Sequence, residues 1–127
     1  MRLLLDTHAF LLAIGEPELL SAKVRRMLAN PDVERWVSAV SLWEIAAKVH
    51  IGKLVLPLDR AFYAQHLQAL QANTLAVNLQ HSLALLELPL HHRDPFDRLL
   101  IAQAREEGMA LVSRDEAFRA YDVARLW

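Results

Sequence analysis

The chain has 127 residues, a formal net charge of −1, 54% hydrophobic residues and no cysteine. This length holds one domain, residues 1–127, and the hydrophobic fraction is enough for a buried core. The near-neutral charge excludes a passive nucleic-acid coat, and the missing cysteine excludes disulfides, cysteine zinc sites and thiol nucleophiles. The apolar start before Asp6 is too short for a signal peptide, and no apolar run approaches the roughly 20 residues of a membrane span, so we expect a cytoplasmic protein that does not enter the membrane.

Hydrophobic periodicity and turn residues predict alternating strands and helices along the chain. The predicted strands are 2–5, 35–40, 74–79 and 109–113. The predicted helices are 7–14, 19–28, 42–51, 59–72, 81–88 and 99–107, with Ser41 as the N-cap of the third. A charged segment precedes the last helix, one more turn begins at 114–116, and a short piece at 123–127 ends the chain. This alternation predicts an α/β domain with a mainly parallel central sheet and helices on both faces.

Four acids fall at or beyond the predicted carboxyl ends of strands, where open parallel sheets bind ligands. Asp6 ends the first strand, and Asp115 lies two residues past the last core strand. Asp97 precedes the helix that leads into that strand, and Glu44 lies in the first predicted turn after the second strand. Carboxylates gathered in one cleft raise one another's pKa unless a cation neutralises them, and oxygen ligands suit Mg²⁺ or Mn²⁺. The sequence therefore predicts a divalent-metal site.

These acids also have purely structural interpretations. Asp6, Asp94 and Asp115 can each cap the helix or turn that follows. Glu44 can form an ion pair with Lys48, one helical turn later. The convergence of the acids on one end of the sheet is what favours a metal site over capping alone.

The histidines and glycines point to no other catalytic site. His91 and His92 are adjacent, and the other central histidines lie on different predicted helices, so we do not expect a zinc site built from histidines. The three glycines form no phosphate-binding loop, and there is no nucleophile-elbow serine motif. Dinucleotide binding and serine hydrolysis are thereby excluded.

Four motifs follow one another through the chain: LLDTH at 4–8, SLWEI at 41–45, HRDPFDRLLIA at 92–102 and LVSRD at 111–115. Together with the ending at 121–127, they resemble the PIN-domain ribonucleases, and specifically the VapC-like toxins of bacterial toxin–antitoxin pairs. The resemblance covers the whole chain. The first and third motifs are specific in combination, whereas the other two are weak alone.

The resemblance implies a PIN domain that acts as a metal-dependent endoribonuclease with Mg²⁺ or Mn²⁺ as its cofactor. Asp6, Glu44 and Asp97 match the family's core acids, and Asp115 matches the fourth, more variable position. In such a site the metal lowers the pKa of a bound water, which attacks the phosphodiester, and the family implies 5′-phosphate and 3′-hydroxyl products. The implied partners are an RNA substrate, a cognate antitoxin and a second copy of the chain in a homodimer.

Residues around the acids have expected supporting roles. Thr7 and Ser113 can hold a metal-bound water or a phosphate oxygen, and Asp94 can cap a helix or orient the acids from outside the ligand set. Three arginines flank the acids and can contact phosphates, or can be solvated charges at helix ends: Arg93, Arg98 and Arg114.

Two other functions stay open. A receiver-like phosphorelay domain also gathers acids at strand ends and binds Mg²⁺, but it needs a phosphoacceptor Asp after a central strand and a Lys after a later one. Here the second strand reaches Ser38 without an acid, and the late strand ends in Ser113 and Arg114. A non-catalytic interaction module would explain the apolar helices without explaining the acids.

Three short predicted helices carry more apolar surface than is needed to cover one sheet. This excess predicts an interface, part of it in a homodimer and part with an antitoxin segment beside the acids. The alternative is that all of these apolar residues lie in the monomer core. They are Leu11, Leu12, Leu19, Leu20, Trp43 and Ile51.

Overall fold

A five-stranded, fully parallel sheet forms the centre of the computed structural model, which describes residues 1–127. Its strands are β1 (Arg2–Leu5), β2 (Glu34–Ser38), β3 (Ala72–Leu75), β4 (Ala110–Val112) and β5 (Arg125–Leu126), in the order β3-β2-β1-β4-β5. Its helices are α1 (Thr7–Gly15), α2 (Ala22–Ala29), α3 (Ala39–His50), α4 (Arg60–Ala69), α5 (Leu79–Glu87) and α6 (Pro95–Glu107). Short 3-10 turns cover Pro17–Leu19 and Glu116–Ala120.

The side chains of β1 alternate between two hydrophobic cores, one on each face of the sheet. Leu3 and Leu5 pack with Phe10 of α1 on one face, and Leu4 packs with Leu100 of α6 on the other. All five are fully buried, and burial of a leucine side chain contributes about 1.5–3 kcal/mol to stability. The predicted parallel sheet with helices on both faces is confirmed.

The strand order creates a switch point beside β1. The chain moves outward from β1 to β2 and β3, and then returns to place β4 on the other side of β1. Ligands of open parallel sheets bind outside the carboxyl ends of the strands at such a point. The order also differs from the 2-1-3-4-5 order of receiver-type domains, so the receiver-like alternative is wrong.

Local capping moves two helix starts and corrects the predicted boundaries. β2 ends at Ser38, whose hydroxyl accepts the N–H of Val40 at 3.0 Å and caps α3. Ser41 is therefore not the cap, and Glu44 lies in the second turn of α3 rather than the first. The last long helix begins at Pro95 because the Asp94 side chain accepts the N–H of Asp97 at 2.9 Å.

Other boundaries shift because local turns end or begin the elements at residues other than those predicted. α2 starts only after Ser21, whose hydroxyl accepts the N–H of Val24 at 3.1 Å. Gln71 takes a positive φ of 54°, which turns the chain directly from α4 into β3, so that strand occupies Ala72–Leu75 rather than 74–79. The terminal piece adds a fifth strand, Arg125–Leu126, beside β4.

The six apolar residues predicted to form an interface divide between core and surface. Leu12 and Leu20 are buried and Leu11 packs against the same core, whereas the remaining three are exposed: Leu19, Trp43 and Ile51. The prediction is therefore wrong for the first three. A second apolar stripe, which the sequence analysis did not single out, is exposed along and just after α5: Leu79, Leu83, Leu86 and Leu90.

None of the helices is both long enough and apolar enough to cross a membrane.

Candidate metal centre

A polar cavity of about 400 Å³ opens at the carboxyl ends of β1 and β4, and none of its lining side chains is hydrophobic. All four predicted acids line it, together with a fifth carboxylate and two cationic side chains. The lining residues are Asp6, Thr7, His8, Glu44, Lys48, Asp94, Asp97, Arg114 and Asp115. The excess of carboxylates gives the cavity a negative potential that a divalent cation would neutralise.

Asp6 leaves the end of β1 and lies almost fully buried at the floor of this cavity. Its Oδ1 accepts the N–H of Ala9 at 2.7 Å, so the residue also caps α1. Burial raises the pKa of its carboxyl, and hydrogen bonds from the Ser113 hydroxyl and the Ala9 N–H offset this only in part. The capping interpretation is correct, and it does not remove Asp6 from the cavity.

Glu44 is buried, and both of its carboxylate oxygens have partners. Oε1 accepts the hydroxyl of Thr7 at 2.6 Å, and Oε2 pairs with the ammonium of Lys48. The Thr7 hydroxyl oxygen also lies 3.0 Å from that of Ser41. The hydrogen bond to Glu44 raises the pKa of Lys48, and the nearby charge of Asp94 adds to this effect. The predicted ion pair therefore forms inside the cavity, which makes Lys48 a site residue.

Asp97 lies partly buried in the cavity among four other carboxylates. Burial raises its pKa to about 7, and repulsion from Asp94, Glu44, Asp6 and Asp115 adds to the rise. A carboxyl with this pKa retains a proton in about half of the molecules at neutral pH, so a bound cation would have to displace it. The crowding of oxygen donors around Asp97 fits a hard divalent ion such as Mg²⁺ or Mn²⁺.

Ser113 links the two acids at the ends of the central strands. It is fully buried just after β4, and its hydroxyl contacts the Asp6 carboxyl and accepts the N–H of Asp115 at 3.1 Å. Asp115 is about half exposed, and its Oδ1 accepts the N–H of Ala117 at 2.9 Å. Ser113 thus contributes to the orientation of both acids.

His92 joins these acids, although the sequence analysis assigned it no role. Its Nε2 lies 3.1 Å from Oδ2 of Asp97 and 3.5 Å from Oδ2 of Asp115. One ligand atom from each of the three residues lies within 4.8 Å of the others. The spacing between histidines in the sequence gives no metal-binding pattern, because His91 and His92 are adjacent. The missed signal was a histidine two residues before the helix-capping Asp94, in the motif that carries Asp97.

The three arginines occupy different surroundings. Arg114 lines the cavity. The Arg98 guanidinium donates to the carbonyl oxygens of Pro89 at 2.9 Å and Leu88 at 3.2 Å, so it fixes the segment before α6. Arg93 is exposed and lies with Arg98 in a separate surface groove. Of the three candidate phosphate contacts, only Arg114 therefore lines the cavity that holds the acids.

Comparison with known proteins gives relatives that match almost the whole chain. Ribonuclease VapC22 of Mycobacterium tuberculosis is 29% identical over 119 residues, which are 93% of this chain and 90% of that protein. The structure of VapBC2 from Rickettsia felis bound to a promoter DNA fragment contains a chain with a TM-score of 0.71, 16% identity and coverage of 99% of this chain and 98% of its own length. The structure of VapBC-5 from Mycobacterium tuberculosis, a member of the VapBC family of toxin–antitoxin systems, contains a chain with a TM-score of 0.56 and 20% identity. That match covers 98% of this chain and 98% of the other.

The two solved structures support the fold, and the VapC22 match agrees with the resemblance to VapC-like proteins seen in the motifs. The sequence pattern of the PIN domain matches residues 3–124, a range that includes every acid of the cavity. The chain therefore belongs to the PIN-domain family.

Proposed function

We propose that this protein is a cytoplasmic, divalent-metal-dependent endoribonuclease that acts as the toxin of a toxin–antitoxin pair. The observation that carries the proposal is the convergence of five carboxylates in one polar cavity at the switch point of a PIN-domain sheet. The name of its relative, Ribonuclease VapC22, supports RNA as the substrate. The VapBC-5 similarity supports the toxin–antitoxin assignment.

The donor set of the cavity suits Mg²⁺ or Mn²⁺, with Asp6, Asp97 and Asp115 as the ligands we propose. Glu44 would contribute directly or through a water, because Thr7 and Lys48 already hold its two oxygens. When bound, such an ion lowers the pKa of a water and polarises the phosphodiester.

The cationic side chains of the cavity would reduce the repulsion between the RNA phosphates and the acids. Arg114 lines the cavity and forms no ion pair in the structure, so its guanidinium is available for a phosphate. Lys48 forms an ion pair with Glu44, which offsets the charge of that carboxylate and holds it in place. The Thr7 hydroxyl already donates to Glu44, and the Ser113 hydroxyl already accepts from Asp115. We therefore propose that both residues orient the acids and are not the main phosphate contacts.

A groove beside α3, the helix that carries Glu44, is suited to bind an antitoxin segment. The groove between α3 and α4 has a volume of about 750 Å³ and is mostly apolar, with walls that include Leu42, Ile45, Tyr63 and Leu67. An amphipathic helix could bury its apolar face there. A partner bound against α3 would also lie close to the path of the RNA, which would explain inhibition.

A homodimer would bury the exposed stripe of α5. Leu79, Leu83 and Leu86 recur at spacings of four and three residues, and Leu90 extends the line beyond the helix end. This is the pattern of one helix face, and a two-fold interface would cover it in both copies. We therefore propose that α5 supplies the dimer contact, in place of the six apolar residues predicted from the sequence.

Cleavage of a mixed RNA pool by the isolated protein tests the proposed function. Reactions contain Mg²⁺, Mn²⁺ or EDTA, and sequencing adaptors that require a 5′-phosphate map the new ends. We expect metal-dependent cleavage that the matched variant Asp97→Asn lacks. A folded wild-type protein that cleaves with neither ion would favour the non-catalytic interaction module, and cleavage that persists in EDTA would contradict the metal mechanism.

A further inference from the structure

His92 has a buried ring nitrogen that the proposed mechanism leaves without a role. Its Nε2 is inaccessible to solvent and forms no hydrogen bond in the structure. The nearest acceptors, Oδ2 of Asp97 and Oδ2 of Asp115, lie at 3.1 Å and 3.5 Å, close enough for a hydrogen bond but away from the N–H axis. A buried donor without an acceptor destabilises the folded state, so this group calls for an explanation.

The other ring nitrogen fixes the tautomer. Nδ1 of His92 lies 3.2 Å from the backbone N–H of Asp94, which can only donate, so Nδ1 accepts. The proton of the neutral imidazole must then be on Nε2. A protonated Nε2 has no lone pair for a metal ion, and it can act only as a donor toward the two carboxylates.

The segment that carries His92 is held in place from several sides. The Tyr121 hydroxyl accepts the backbone N–H groups of His91 at 3.0 Å and His92 at 2.7 Å. The His92 ring packs beside Phe118, with 5.9 Å between ring centroids. The backbone is thus anchored, and a small rotation of the ring or of a carboxylate is enough to align the N–H with an acceptor. Catalytic hydrogen bonds are often poorly aligned before ligands bind and tighten afterwards.

We propose that His92 is a positioning residue that donates Nε2–H to the Oδ2 atoms of Asp97 and Asp115 and directs their remaining lone pairs toward a shared divalent ion. This inference rests on the proposed metal site and assigns to His92 a part in building it. One N–H donor between two carboxylates reduces the repulsion between them. Hydrogen bonds to ligating groups from outside the metal shell typically account for 10- to 100-fold in metal affinity.

Three substitutions separate this role from a merely structural one. The amide nitrogen of Gln reaches about as far from the backbone as Nε2 of histidine, whereas that of Asn reaches only about as far as Nδ1. His92→Gln therefore keeps a donor near the carboxylates, while His92→Asn and His92→Leu do not. Mn²⁺ affinity is measured without RNA, from the electron paramagnetic resonance signal of free Mn²⁺, and pulsed measurements detect any nitrogen bound to the ion.

We expect His92→Gln to bind Mn²⁺ within about threefold of wild type, and His92→Asn and His92→Leu to bind roughly 10- to 100-fold more weakly. The wild-type complex should show no directly coordinated nitrogen. Near-ultraviolet circular dichroism of the metal-free proteins checks folding. If His92→Leu is unfolded, the comparison of Mn²⁺ affinity between His92→Gln and His92→Asn tests the inference.

Two results would overturn this inference and leave the proposed function standing. These are equal Mn²⁺ affinity in wild type and all folded variants, or a strong nitrogen coupling that makes His92 a ligand. Wild-type protein that binds no Mn²⁺ at millimolar concentration would instead contradict the proposed metal-dependent function, and the role of His92 with it.

Discussion

The hydroxyl of Thr7 donates to Oε1 of Glu44 at 2.6 Å, and this bond joins the first residue of α1 to the second turn of α3. Both side chains are buried, and Lys48 holds the other Glu44 oxygen. The Glu44 carboxylate is therefore fixed between a hydroxyl donor from α1 and an ammonium group from α3.

Removal of the Thr7 hydroxyl should destabilise the protein. Thr7→Val keeps the shape of the side chain but leaves a buried carboxylate oxygen of Glu44 without its donor, at a cost of about 1–3 kcal/mol. Urea unfolding of the metal-free protein measures this free energy. Thr7→Ser retains the hydroxyl and should stay closer to wild type, and a Val variant as stable as wild type would contradict the assigned bond.

Asp6→Asn and Asp97→Asn should abolish RNA cleavage and leave the chain folded. Each change removes a proposed ligand charge and also relieves repulsion among the carboxylates, so metal-free stability should hold or rise. Thermal unfolding and RNA turnover are measured at matched metal concentration. Asp122→Asn, at an exposed position outside the cavity, is the control, and wild-type turnover in either active-site variant would rule out that residue's catalytic role.

The metal-free protein should lose stability as pH rises from about 4 to about 7, relative to Asp97→Asn. The folded-state pKa of Asp97, about 7, lies above its value in the unfolded chain, so the folded state holds the extra proton in this window and ionisation disfavours folding. The difference should be on the order of 1–3 kcal/mol after allowance for screening at a partly open site. Denaturant titrations in EDTA at stepped pH give this difference, and a pH-independent gap would contradict the raised pKa.

Mn²⁺ and Mg²⁺ should raise the unfolding temperature of the wild-type protein. Binding to the folded state alone stabilises by about 2.7 kcal/mol when the ion exceeds its Kd 100-fold. Glu44→Ala and Asp115→Ala should reduce this shift, while Asp122→Ala, outside the cavity, should retain it. Differential scanning calorimetry tests the prediction, and a wild-type transition that millimolar metal leaves unmoved would exclude the site.

The chain should sediment as a dimer at micromolar concentration, because the α5 stripe is too apolar to remain in water. Leu86 is 81% exposed at the centre of the stripe, and Leu86→Glu should yield the 14.5 kDa monomer. Val55 is 98% exposed but lies outside the stripe, so Val55→Glu should leave the dimer intact. A wild-type protein that stays monomeric at higher loading would refute the dimer.

The sequence by itself determined the features that depend on near neighbours in the chain. Asp6 and Asp94 combine good capping side chains with the start of an amphipathic helix, so their positions follow from local hydrogen bonding. The ion pair of Glu44 and Lys48 likewise needs only one helical turn. Alternating apolar strands and helices indicated the parallel sheet, whose geometry brings acids that follow strands to one edge.

Only the tertiary structure decided which distant groups meet. The insertion of β4 beside β1 brings Asp115 to Asp6, and it also places Asp115 beside His92, a contact that no local spacing in the sequence indicates. The same packing turns Arg98 toward backbone carbonyls, away from the cavity. It also leaves the α5 stripe uncovered. These contacts depend on how whole elements pack against one another, and the free energy of that packing is spread over both cores and not encoded in any local run of residues.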